Sequence, residues 1–341
     1  MNRIDQVFPC YFPTTAIFID DDGDFLNNFI IDLNERLPYR LFVSPLEALK
    51  VITERKPSAE EREKCFLESD DVCYESDNQE ILRLNLNGLR NTMFDDKRFA
   101  QISVAVVDYE MKEMNGLDVC RSLEGKQIKR ILLTGIADEQ TAINAFNEGI
   151  IERYLLKKDG NVFEKFHQYI DVLQKDFFST LFQSLDEGLV TDSVAFYHDP
   201  HVRELLLATC KRLDIVEYYL SRHPKGFFLI DLQGKPYFLL LQCADEMDCH
   251  TMVAEDQSAP TKMIEQLESK KWVPFFPTRE NHYERKEFPN WESYLHPAKP
   301  LSGNEYYYHS LLTSEHLKSH GITDILSLDQ FLDDRKAQFK K

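Results

Sequence analysis

Two aspartates close the apolar run Ala16-Ile17-Phe18-Ile19-Asp20-Asp21, and a third closes Ser103-Val104-Ala105-Val106-Val107-Asp108. Runs this short, apolar and rich in β-branched residues read as strands buried in a parallel sheet. In an open α/β sheet the carboxyl ends of the strands face the ligand crevice. Carboxylates gathered there repel one another unless a cation stands among them. A hard cation such as Mg2+ takes oxygen ligands of this kind and keeps several waters. The chemistry that fits is a Mg2+ site at a sheet edge, with one carboxylate available as a nucleophile.

The elements that must position these side chains alternate in type. A strand over 15–20 is followed by helical spacing from Asp24 to Leu37, a strand over Tyr39–Val43, and a helix opened by Ser44-Pro45, an N-cap followed by proline. After residue 100 the rhythm runs strand 104–108, helix 116–123, strand 130–134, helix 139–147 and strand 154–156. A further helix starts near Phe163. Its apolar positions, Phe166, Ile170, Leu173, Phe177, Leu181 and Leu185, carry it either onward as a connector or to a break near Asp176. That apolar face motivates an expectation of dimerisation. Between these parts, residues 57–100 are polar and acidic. Capping-box spacings at Ser58/Glu61 and Asp77/Glu80 predict two short helices there, the second burying Ile81, Leu82, Leu86, Leu89 and Met93. A solvated elaboration is the ordinary reading of such an insertion, and a partner surface is the other.

A chain of 341 residues is long enough for two cores. Its net charge of -18 argues against a nucleic-acid footprint, which needs a basic face. Seven cysteines without a regular framework read as reduced thiols, hence a cytoplasmic protein. No basic-then-apolar leader opens the sequence and no apolar run approaches membrane-spanning length.

One strand-end aspartate is more often a solvated cap, and a lone threonine or lysine is more often a strand former or a surface charge. Together, Asp20-Asp21, Asp108, Thr134 and Lys157 follow successive strands in one order. With Asp108-Tyr109-Glu110-Met111 and Gly116-Leu117, the set resembles the receiver domain of bacterial two-component response regulators. The resemblance covers about 15–175 and implies a flavodoxin-like, doubly wound α/β domain with a parallel five-stranded sheet. It further implies that Asp108 accepts a phosphoryl group from a sensor histidine kinase. Mg2+ would be held by Asp21, Asp108, Asp20 partly through water, and the backbone carbonyl of Glu110. Thr134 and Lys157 would contact the phosphoryl oxygens, and Tyr154 would be the aromatic switch. Similarity to a subset with an insertion implies quorum sensing. Two positions depart from the pattern: Lys112 and Lys158 replace prolines usual in the family, and Lys158 thereby rivals Lys157.

The chain divides on this reading into an extension (1–14), the receiver (15–175), a connector (176–188) and an output domain (189–341). Phe8, Tyr11 and Phe12 can pack the extension onto a domain. In the output part a helix over 201–213, a hairpin of 226–231 with 237–241 around Gly234, a helix over 259–271, strands 272–276 and 306–312 and a closing helix over 328–336 predict a mixed α/β (α+β) unit. The acidic residues among 316–336 speak against a DNA-reading helix. His198, His201, Cys243, Cys249 and His250 fit no zinc spacing, and the tyrosines at 218–219 and 306–308 read as packing. Three functions follow: a phosphorylation-operated regulator that is no enzyme beyond its own phosphoryl chemistry, a receiver that controls a nucleotide-binding or enzymatic output, or a phosphate-independent scaffold.

Overall fold

A computed structural model describes residues 7–54, 66–68, 82–135, 139–186, 196–276, 285–318, 320–323 and 325–339. The capping boxes expected at Ser58 and Asp77 lie outside these residues. The first strand, β1 (Cys10–Tyr11), joins a sheet formed much later in the chain. The doubly wound unit begins with β2 (Thr15–Ile19), α1 (Gly23–Phe29), β3 (Tyr39–Phe42) and α2 (Pro45–Glu54). A small antiparallel pair, β4 (Phe66–Glu68) and β5 (Leu82–Leu84), and α3 (Leu86–Thr92) then interrupt it. It resumes with β6 (Ile102–Asp108), α4 (Gly116–Ser122), β7 (Lys129–Thr134), α5 (Glu139–Asn147), β8 (Arg153–Leu156) and α6 (Val162–Asp186).

These strands form a parallel five-stranded sheet in the order β3-β2-β6-β7-β8. The order reverses between β2 and β6, and a crevice opens at such a switch point. Strand alternation decides which helices each side chain meets. Ile17, Ile19, Ala105, Val107 and Leu132 pack with residues of α2, α4 and α5. Ala16, Phe18, Val104, Val106, Ile131 and Leu133 pack with residues of α1 and α6. This is the flavodoxin-like fold expected of a receiver.

The second unit comprises α7 (Pro200–Leu213), β9 (Ile215–Ser221), β10 (Gly226–Asp231), β11 (Pro236–Cys243), α8 (Ala244–Asp256) and α9 (Thr261–Glu268). It continues through β12 (Trp272–Pro274), β13 (Leu295–Pro297), β14 (Lys299–Ser302), β15 (Tyr306–Leu312), α10 (Ser314–Lys318) and α11 (Leu328–Phe339). Its main sheet is six-stranded and antiparallel, in the order β1-β9-β10-β11-β15-β14. Alternation again sets two faces: Phe227, Leu229, Leu239 and Leu241 pack with Val202 and Leu206 of α7, while Phe228, Ile230, Phe238 and Leu240 face the opposite core.

Three sequence expectations need correction. The polar insertion is not a solvated elaboration over its described C-terminal part: Leu89 and Met93 are buried as their spacing predicts, but in the second core with Phe8, Phe12 and Tyr219. The expected helix through Leu82 is instead β5 followed by the short α3. Among its described side chains, the apolar face from Phe163 is consumed inside the chain. Phe166, Ile170 and Leu173 lie in the first core, and Phe177, Phe178 and Phe182 lie in the second, so α6 runs unbroken through Asp176. A dimer would have to use another surface.

Candidate functional site

Each site residue stands where a strand stops. β2 delivers Asp20 and Asp21, after which Asp22 caps α1 by accepting from the amides of Asp24 and Phe25. The Asp22 amide in turn donates to Asp20 Oδ1 at 2.9 Å, which fixes that carboxylate. β6 ends on Asp108, β7 on Thr134, and Lys157 follows β8 with its amide donating to the Thr134 carbonyl at 3.0 Å. The loop after Asp108 is tied by the Tyr109 amide to the Leu133 carbonyl, and by the Gly116 amide to the Tyr109 carbonyl. Only glycine fits at 116, because a Cβ there would lie 2.0 Å from the Asp108 carbonyl oxygen.

Oxygens of Asp20, Asp21 and Asp108 lie within 4.8 Å of one another. Lys157 Nζ lies 2.7 Å from Asp20 Oδ2 and 2.7 Å from Asp108 Oδ1, and 4.3 Å from the centroid of the Phe25 ring. Burial pushes the Asp108 carboxyl up; Lys157 pulls it down and Asp20 pushes it up again, leaving it above the ordinary carboxylate value. Burial pushes the Lys157 ammonium down, but its bonds to Asp108 and Asp20 more than reverse this, so it stays charged. An all-oxygen donor set on two buried carboxylates and one partly open one fits Mg2+, with room for water on the open side. On that side a cleft is lined by Asp21, Asp22, Gly23, Asp24, Glu110, Met111 and Lys112.

The remaining expected residues are placed as follows. Thr134 is buried and its Oγ1 donates to the Gly135 carbonyl at 3.2 Å. Tyr154 is half-buried, packs against the core that contains Ala142 and Ala145, and pairs in register with Leu132. Glu110 lines the cleft, and its side-chain carboxylate is not part of the trio. Lys158 is exposed, and Lys157 rather than Lys158 makes the contacts in the acidic site. His198, His201, Cys243, Cys249 and His250 form no metal-ligating group among the described residues.

The sequence reading missed two contacts. Lys112 bonds Asp21 Oδ2 through its amide at 3.2 Å, with its ammonium 3.7 Å away. Ser44 Oγ donates to Glu113 Oε2 at 2.6 Å, which ties the β3–α2 turn to the loop after Asp108. The departure from proline at 112 was the available signal; its partner depends on tertiary placement.

No protein-family model matches the chain, and a search of the curated proteins found no match. Among solved structures, the Legionella pneumophila response regulator LqsR is 33% identical, with 96% of this chain and 95% of that one covered and a TM-score of 0.70. An adenylate cyclase from Rhodopirellula baltica is 21% identical over 52% of this chain and 99% of that one, with a TM-score of 0.33. A response regulator receiver domain protein from Clostridium thermocellum is 19% identical over 50% of this chain and 98% of that one, with a TM-score of 0.31. At such scores the last two add nothing to the assignment. The first spans both units at substantial identity, and the chain therefore belongs to the response regulator family, with a receiver domain at its N-terminal side.

Proposed function

We propose that the chain is a phosphorylation-operated regulator in which Asp108 accepts a phosphoryl group from a sensor histidine kinase. The observation that carries this reading is the Lys157 ammonium, 2.7 Å from carboxylates of two different strands that share the pocket with a third. A carboxylate oxygen of Asp108 attacks phosphorus, a new P–O bond forms, the P–N bond of the phosphohistidine breaks, and the nitrogen keeps the electron pair and takes a proton. Such transfer is mostly positioning and electrostatics. Asp20, Asp21 and Asp108, with the Glu110 carbonyl, would hold Mg2+, which when bound neutralises charge on the phosphoryl oxygens. Lys157 adds a fixed cation on the buried side, and the Thr134 hydroxyl turns from the Gly135 carbonyl to a phosphoryl oxygen. Tyr154 follows into the space that Thr134 leaves, which biases a two-state surface.

On this reading 15–175 is the receiver, 176–188 the connector and 189–341 the output unit, and the protein works in the cytoplasm. No described helix is long and apolar enough to cross a membrane. The resemblance to receivers that carry an insertion like 57–100 favours a quorum-sensing pathway. A phosphorylation-dependent homodimer belongs to the same proposal, and equal sedimentation with and without a phosphoryl mimic would count against it. A receiver that controls a nucleotide-binding or enzymatic output is the second reading, favoured by a cleft lined by Asn290, Tyr294, His296 and His316 in the second unit.

The first test is incubation with acetyl phosphate and Mg2+, read by intact mass. The wild-type chain is expected to gain one phosphoryl group and Asp108→Asn none. An unmodified wild type, or a modified variant, overturns the assignment.

A further inference from the structure

Mg2+ that enters the acidic pocket has to share Asp21 with a cation already there. Asp21 is the most open of the three carboxylates, its side chain 22% exposed, so it faces the route of entry. Its Oδ2 atom accepts the Lys112 amide at 3.2 Å and lies 3.7 Å from the Lys112 ammonium. The two lysines of the site differ in kind. Lys157 is three-quarters buried and bridges Asp20 to Asp108, whereas Lys112 is 91% exposed and reaches Asp21 from outside. The Glu113–Ser44 bond beside it steadies the loop that carries Lys112.

We infer that Lys112 is a resident counter-cation of Asp21 which Mg2+ must displace, so that this chain binds the metal more weakly than its carboxylates alone would. The inference rests on the metal reading given above and adds to it a residue that sets affinity. An ammonium in water, at ion-pair distance, competes modestly: pairs of this kind support an effect of about two- to five-fold. The competition is electrostatic, so it fades as salt shortens the screening length to about 3 Å near 1 M.

Titration calorimetry of Mg2+ into the full chain tests this without reference to phosphorylation. Lys112→Ala is expected to tighten the Kd about two- to five-fold at low salt, with the gap closing near 1 M salt, where screening is almost complete. Lys112→Arg keeps the cation and should match wild type. Lys50→Ala, which removes another exposed charge, on α2 (side chain 72% exposed), should also match it. The amide resonance of Lys112 should shift as Mg2+ is added, because its acceptor is a ligand. A Kd for Lys112→Ala equal to or weaker than wild type overturns the role of Lys112 while the metal site stands, provided Asp21→Asn loses the metal. A wild-type chain that takes up no Mg2+ overturns the metal reading and this inference together.

Discussion

Lys157 is held by two carboxylates, and its burial makes that contact count for more than a surface pair would. An exposed ion pair contributes between nothing and about 1 kcal/mol, but here Asp20 and Asp108 are 1% and 5% exposed and would repel each other without the ammonium. Histidine poses the opposite problem in the second unit. His296 is 5% exposed, with Phe275 and His316 against its ring. Burial, and then the neighbouring His316 and His320, push its pKa down to about 4. The folded value lies below the unfolded value near 6.5, so the unfolded chain binds the extra proton first. The stabilisation is fully present above pH 6.5 and is lost as the pH falls towards 4, by roughly 3 kcal/mol if this group acts alone. Urea midpoints between pH 7.5 and 4.5 should fall more steeply for wild type than for His296→Phe. Parallel slopes for the two proteins would sink the assignment to His296.

At the level of elements, the strands that carry the site were the most legible. Apolar runs closed by aspartate identify β2 and β6, and both faces of each are covered by helices. β9 escaped notice because Glu217 interrupts its apolar run; the interruption makes sense only with Arg98, far away in sequence, at 2.6 Å. α8 escaped because its buried face is narrow, only Met247, His250 and Ala254, and acidic residues crowd both its ends. β1 is two residues long, too short for any period to register, and β14 is an edge strand that opens on Lys299-Pro300 and is largely exposed. Glycine at 116 was legible as a motif, and the structure supplies its reason. Opening α4 beside β6 leaves no room for a Cβ against the Asp108 carbonyl oxygen. Gly116→Ala therefore has to displace the loop that carries Asp108, at a stability cost of about 1–3 kcal/mol typical of overpacking. Acetyl-phosphate labelling of that variant should slow at least about ten-fold, on the scale of roughly 1.4 kcal/mol per decade. Unchanged labelling would mean that the loop absorbs the methyl without moving Asp108.

Across the whole molecule, the two units are joined at the end of the receiver sheet away from the pocket. Arg98, in a helical turn just before β6, pairs with Glu217 of β9 at 2.6 and 2.9 Å, both side chains fully buried. Tyr219 donates to the same carboxylate and Arg98 donates to the Leu326 carbonyl, so the charges are well satisfied. β6 then spans roughly 20 Å from this joint to Asp108. The joint is reinforced by α6, whose aromatic side chains enter both cores, and by Phe99, buried against Leu328 and Leu332 of α11. Breaking a buried pair of this kind by removing one partner costs about 3–5 kcal/mol. Both tryptophans, Trp272 and Trp291, lie in the second unit, so their fluorescence reports on that unit alone. A ligand that binds only the folded receiver stabilises whatever unfolds with it, by about 2.7 kcal/mol at a hundred times its Kd. Beryllofluoride with Mg2+ should therefore raise the urea midpoint read by tryptophan, although the ligand binds in the other unit. Arg98→Met should lower that midpoint without the ligand and reduce the shift that the ligand produces. A tryptophan transition that ignores the ligand, while circular dichroism resolves a second, ligand-sensitive step, would mean that the joint does not couple the two units.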